Sequence, residues 1–420
     1  MYSKYELKDL LEFIVYYNYD NKYSNFNIAA VYEELINRYK QETGVTLELN
    51  DKNKKFIYEW LRRKVGYDLL NIMLEQSVDY LTGNYQNKHS YFVLDNLQSI
   101  SDVIKLQIKD SLLDINKQMA SASLVDKNKT EELFVSFLKH IDPSLEWLNL
   151  YYDAKSNGNI IYLDELTNKE KQDTLEKFEM DEFEDINGYL HINGNQYIWL
   201  TRVNTTEDFT SLLHEFIHYI VDLKNNSRDI PHVLVEFPSI FYELYSHEFL
   251  LEQGFSEEEL NLLKAKRMNN SLYGASSITE IFDVIKMFLK NGRITERMLV
   301  DKDNKSINNA KTILLDNTVN KVFKKNDENL THYQIVTKVW ENIIEKIIKK
   351  LNYAYIWYPY IIGTYFSNRA LENLDAYSLI KMKYITENFS LLNVYDALTI
   401  LNIDLDKLGI IPISYGKGLK

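Results

Sequence analysis

The sequence predicts a mainly α fold, with a small β-sheet hairpin placed directly before a helix that carries His214-Glu215-Phe216-Ile217-His218. Three observations lead there. Apolar residues recur at three- and four-residue spacing along most of the 420 residues. Strand-like runs flank an Asn-Gly pair shortly before the histidines. Hydrophobic residues make up 45% and charged residues 26%, an ordinary balance for a globular chain long enough to bury a core.

Residues 1–150 read as an N-terminal helical lobe. Tyr5 to Tyr17, Ile28 to Tyr39, Lys54 to Tyr80, Asn96 to Met119 and Thr130 to His140 each show helical periodicity between polar breaks. The opening stretch lacks the apolar core of a secretory signal, because Glu6, Asp9 and Glu12 interrupt it. No run approaches the ~18 apolar residues of a membrane span, so the expectation is a cytoplasmic protein with no membrane partner. A net charge of -13 and a pI near 5.2 argue against a nucleic-acid partner. With no Cys, disulfides and thiolate metal ligands are excluded. His89 and His140 have no ligand spacing around them and read as core or surface residues.

Residues 151–420 read as a second, catalytic lobe. Ile160-Ile-Tyr-Leu163 is a short strand candidate, and Tyr189 to Ile192 with Gln196 to Leu200 form a hairpin around Asn193-Gly194-Asn195. An edge strand there can pair with an extended peptide. His191 sits on this hairpin and is not read as a ligand. Thr205 and Asp208 are a capping pair for the helix that follows.

On that helix His214 and His218 are one turn apart and project from one face, so two imidazoles can hold one cation. Glu215 lies beside them, where a carboxylate can take a proton from water activated by the cation. A hydrolytic zinc site needs three protein ligands and an open position. Pro231 can start the next helix as its first residue; Glu236 is the expected third ligand. Glu243, two turns further on, is expected to hold a ligand imidazole through its other ring nitrogen. One Zn2+ per chain is the implied cofactor.

Beyond Glu243 the chain returns to helix. Ser256 to Glu259 is a capping box, Gly274-Ala-Ser-Ser-Ile278 a helix connection, and Asp301 to Leu330 a polar insertion. Tyr353, Tyr355, Tyr358 and Tyr360 form a second constellation, since a phenol can donate to the oxyanion that grows on an attacked carbonyl. Pro359 and Gly363 suggest a kink in the helix that carries them.

Leu212-Leu-His-Glu-Phe-Ile-His218 followed by Val235-Glu-Phe-Pro-Ser-Ile-Phe-Tyr-Glu243 resembles the zinc-binding region of the thimet oligopeptidase and oligopeptidase F family. Asn187 to Leu200, Asn204 to Asp208 and Tyr353 to Gly363 extend the resemblance, which covers residues from about Val135 onward. It implies two mostly helical lobes around a substrate channel, and a zinc metalloendopeptidase that hydrolyses internal bonds of short peptides. By position it assigns His214, His218 and Glu236 to zinc and Glu215 as the general base. The thimet branch selects Tyr355 as oxyanion donor and the oligopeptidase F branch Tyr358 or Tyr360; Tyr355 and Tyr358 rank first. The chain departs from the pattern in Ile217, which replaces a Gly, in Val221, which replaces a His, and in a shorter stretch between His218 and Glu236. It also has Lys350 or Ile343 where a His precedes the tyrosines. Two alternatives stand beside this reading. One is a substrate-specific protein-cleaving toxin, because His-Glu-Phe-Ile-His also resembles clostridial neurotoxin light chains. The other is a non-catalytic peptide-binding relative.

Overall fold

The computed structural model describes residues 2–19, 27–82, 124–178, 180, 183, 187–225, 234–266, 284, 288, 290–295, 344–392 and 394–403. The expected helix Asn96 to Met119, His89, Pro231, the Gly274 connection, the Asp301 to Leu330 insertion and Ile343 lie outside these residues. Where described, the chain is mainly helical with one three-stranded sheet. No described helix is long and apolar enough to cross a membrane.

The chain forms two compact units, Met1–Asp79 with Ser276–Ile356, and Tyr80–Ala275 with Trp357–Lys420. In the first, α1 (Leu7–Tyr19), α2 (Ile28–Thr43) and α3 (Asp51–Thr82) bury Leu10, Leu11, Ile14, Val31, Leu35, Ile57 and Leu61. Asn27 caps α2 by accepting the Ala30 N–H, and Gly44 ends it in the left-handed conformation that a residue without Cβ adopts readily. Arg38 reaches the carbonyls of Tyr2, Ser3 and Tyr5, which fastens the first turn of the chain to α2.

The second unit begins, as described, with α4 (Lys127–Ile141) and α5 (Glu146–Ser156), followed by β1 (Ile160–Tyr162), α6 (Asn168–Phe178), β2 (Gly188–Ile192) and β3 (Asn195–Leu200). The strand order is β1-β3-β2. Asn193 and Gly194 both have positive φ and make the two-residue turn between β2 and β3. The hairpin has a parallel partner that the sequence does not reveal: β1 pairs with β3 as Ile160↔Ile198, Ile161↔Trp199 and Tyr162↔Leu200. One sheet face packs Tyr197 and Trp199 on Leu163 and Phe178, and the Trp199 ring lies over Gly188, where a Cβ would stand 2.2 Å from it.

The other face meets α7 (Thr206–Lys224), the helix of the paired histidines. Phe209, Leu212, Leu213, Phe216, Ile217 and Ile220 on α7 are fully buried, each contributing roughly 1.5–3 kcal/mol. Ile217 is therefore a core residue, packed away from water beside the site. The capping differs in detail from expectation. Thr205 accepts the Glu207 N–H, while the Asp208 carboxylate accepts from Val203 and Asn204, both at 2.8 Å, instead of from Thr205. Asn204 has a positive φ, a conformation that Asn adopts more readily than most residues. α8 (Phe237–Glu252), residues 257–266, α9 (Glu345–Glu372, belonging to this unit from Trp357), α10 (Ser378–Glu387) and α11 (Val394–Ile400) complete the unit. Asn225 ties the end of α7 to α10, donating to the Thr386 carbonyl and accepting the Ser390 N–H.

Candidate metal centre

The i,i+4 spacing on α7 does what helical geometry dictates. The His214 and His218 rings lie 4.8 Å apart, nearly perpendicular, with their Nε2 atoms 3.1 Å from each other. His214 is 3% exposed and His218 half-buried.

Glu236 arrives from the turn that precedes α8. This corrects the expected helix start: the described helix begins at Phe237, not at Pro231, and Glu236 is its N-cap. Pro238 explains the shift, because in the first turn its missing N–H is not needed and its fixed φ is already helical. A carboxylate at an N-cap ordinarily accepts a backbone N–H, but Glu236 makes no such bond. Its Oε2 turns to the imidazoles instead, 3.2 Å from His214 Nε2 and 3.4 Å from His218 Nε2. Neither contact has hydrogen-bond alignment, so this oxygen is buried without a hydrogen-bond partner. Burial alone would raise the Glu236 carboxyl; the His218 and His214 imidazoles outweigh it and hold the group well below the usual carboxylate range.

These distances test whether a cation fits. Bonds of about 2.0–2.1 Å at tetrahedral angles place neighbouring ligand atoms about 3.3 Å apart. The three ligand atoms stand 3.1, 3.2 and 3.4 Å from one another, which is one face of such a tetrahedron. Among the described residues, His214, His218 and Glu236 are the group able to hold a metal ion.

Helix α9 sets the position of Glu236. Gly363 backs directly onto it: a Cβ there would lie 3.0 Å from the Glu236 carbonyl carbon and 3.0 Å from Ile240 Cδ1. Ser367, one turn on, donates to the Phe237 carbonyl. The helix runs through both Pro359 and Gly363, and the small residue at 363 allows the close approach.

Glu243 reaches the opposite side of the first imidazole, with Oε2 3.3 Å from His214 Nδ1. His214 is thus addressed by one carboxylate at each nitrogen, Glu236 outside α8 and Glu243 within it. Glu215 is half-buried on α7 between the two histidines in sequence. The side chains of Tyr353, Tyr355, Tyr358 and Lys350 lie outside the described residues. Tyr360 is brought to the site: its ring stacks on His214 with centroids 6.1 Å apart and planes 12° apart. His140 sits at the surface near Tyr245, and His191 pairs with Asp222, so neither joins the cluster.

Asp222 and Tyr189 also come to the site, though no motif in the sequence marks them. Tyr189 of β2 places its ring 6.4 Å from that of His218 and donates its hydroxyl to Asp222, which lies one turn beyond His218 on α7. Only the i,i+4 step from His218 to Asp222 could have drawn attention to it. Compared with known protein families, with characterised proteins and with solved structures, the chain matches none.

Proposed function

We propose that this chain is a zinc-dependent endopeptidase that hydrolyses internal bonds of short, extended peptides. The observation that carries the reading is the convergence of His214 Nε2, His218 Nε2 and Glu236 Oε2 at tetrahedral-edge spacing, with a glutamate next to the first histidine. Two imidazoles and one carboxylate suit zinc in a hydrolytic site with an open position.

When bound, the cation supplies Lewis acidity toward the peptide carbonyl and lowers the pKa of water. The chain's residues do the rest. Glu215 takes a proton from the attacking water and passes it to the leaving amine. Tyr360, stacked on His214, donates to the oxyanion that forms on the carbonyl. Glu243 fixes the orientation of His214. β2 is an edge strand lying against the metal helix, so an extended substrate can add to it by backbone pairing. The two-lobed channel implied by the resemblance belongs to this proposal as the device that admits short peptides and excludes folded protein.

The test is to incubate the protein with a mixed pool of peptides, with and without chelator, and read the products by mass spectrometry. Chelator-sensitive internal cleavage by the wild type, lost by about 10²-fold or more in a metal-loaded Glu215→Gln variant, is expected. Cleavage of a folded protein with no peptide cleaved would favour the substrate-specific protease, and metal binding without turnover the non-catalytic relative.

A further inference from the structure

The hairpin carries three polar side chains on the face toward the metal helix. Tyr189 and His191 alternate along β2, and Gln196 stands opposite His191 on β3. All three converge on one oxygen of Asp222. Tyr189 Oη donates to Oδ2, Gln196 Nε2 donates to it at 2.7 Å, and His191 Nδ1 lies 2.7 Å from it. The Asp222 side chain is 8% exposed. At the other end of the strand, Asn187 Nδ2 donates to Ser211 Oγ at 3.1 Å, and its Oδ1 accepts the Thr201 N–H at 3.0 Å.

Ser211 lies one turn before His214 and Asp222 one turn after His218. The two clasps therefore bracket the metal-binding stretch of α7 and hold β2 alongside it. Adhesion alone does not call for this arrangement. Ile198, between the same two surfaces, is fully buried, and apolar packing of that kind joins sheet to helix without desolvating a carboxylate. A buried carboxylate with several donors instead selects one register and one orientation, because any slip leaves charged and polar groups unpaired. Among the described residues, the strand it holds is one of the two outer strands of the sheet.

We propose that Asp222 is a positioning residue that locks edge strand β2 in register along the metal helix, so that an extended peptide paired with β2 presents its scissile carbonyl to the site. The inference rests on the endopeptidase reading and adds to it a residue outside the ligand set.

The experiment compares wild type, Asp222→Ala and Tyr189→Phe. Each is measured for metal content, for amide hydrogen exchange over residues 188–192, and for KM and kcat on a peptide the wild type cleaves. Faster exchange in β2, KM raised about tenfold in Asp222→Ala, and unchanged metal content are expected. Tyr189→Phe, which keeps the ring and loses one donor, should show a smaller change in the same direction. Unchanged exchange and KM in both variants would overturn the proposal. So would loss of metal or of kcat at constant KM, which would place Asp222 behind the ligands instead of behind the strand. A wild type that cleaves no peptide removes the endopeptidase reading and this inference with it. An active wild type with indifferent variants removes the inference alone.

Discussion

Glu243 Oε2 stands 3.3 Å from His214 Nδ1, on the far side of the ring from Glu236. That contact selects the tautomer with its proton on Nδ1, leaving the Nε2 lone pair directed at His218 and Glu236. Replacing Glu243 by Ala should weaken metal binding by about 10–100-fold, read by competition with a chromogenic chelator. Unchanged affinity would mean that packing alone orients His214.

A side chain at Gly363 should press on the backbone that carries Glu236. An added Cβ would meet Glu236 backbone and Ile240 at 3.0 Å. Overpacking of this kind costs about 1–3 kcal/mol, against a helix-propensity gain of about 1 kcal/mol for Gly→Ala. Gly363→Ala is predicted to be neutral to mildly destabilising in chemical denaturation. It should nevertheless weaken metal binding, because the backbone that gives way carries Glu236. Wild-type affinity with wild-type stability would show that α9 does not set the ligand.

Tyr360 is the described tyrosine stacked on His214. If it supplies the oxyanion donor, Tyr360→Phe should lower kcat about a hundredfold with metal content and KM retained. A variant with full kcat would return the role to Tyr355 or Tyr358.

The cluster of His214, His218 and Glu236, which could hold a metal ion, was legible in the sequence because it is written in helical spacing. His214 and His218 share a face at i,i+4, and Glu236 and Glu243 lie two turns apart, so each can address His214. The hairpin was legible from Asn193-Gly194 between alternating runs. The start of α8 was not, since Pro231 and Pro238 are both competent first-turn residues and only packing decides between them. Tyr360 could not be separated from Tyr355 and Tyr358, because which ring reaches His214 depends on how α9 lies on α8. Asp222 carried only its i,i+4 spacing from His218: its donors come from Tyr189, His191 and Gln196, brought to it only by the fold.

His247, one turn beyond Glu243 on α8, makes stability depend on pH. Burial pushes its imidazole down to about 4, with Glu243 opposing and Lys264 assisting. The unfolded chain protonates this residue near 6.5, so between pH 6.5 and 4 the unfolded state binds more protons and stability falls as pH falls. The loss amounts to about 3 kcal/mol at full extent and is absent above pH 6.5. In metal-free protein, His247→Gln should flatten urea-denaturation stability over that window relative to wild type. An equal acid dependence in both proteins would contradict the assignment.

The most direct test of the central claim is the metal content of the purified protein after equilibration with zinc and removal of the excess, measured by elemental analysis beside a Glu236→Ala variant. One equivalent of zinc in the wild type and a large loss in the variant are predicted. A folded wild type that retains no metal would contradict the site, and with it the hydrolytic chemistry built on His214, His218 and Glu236.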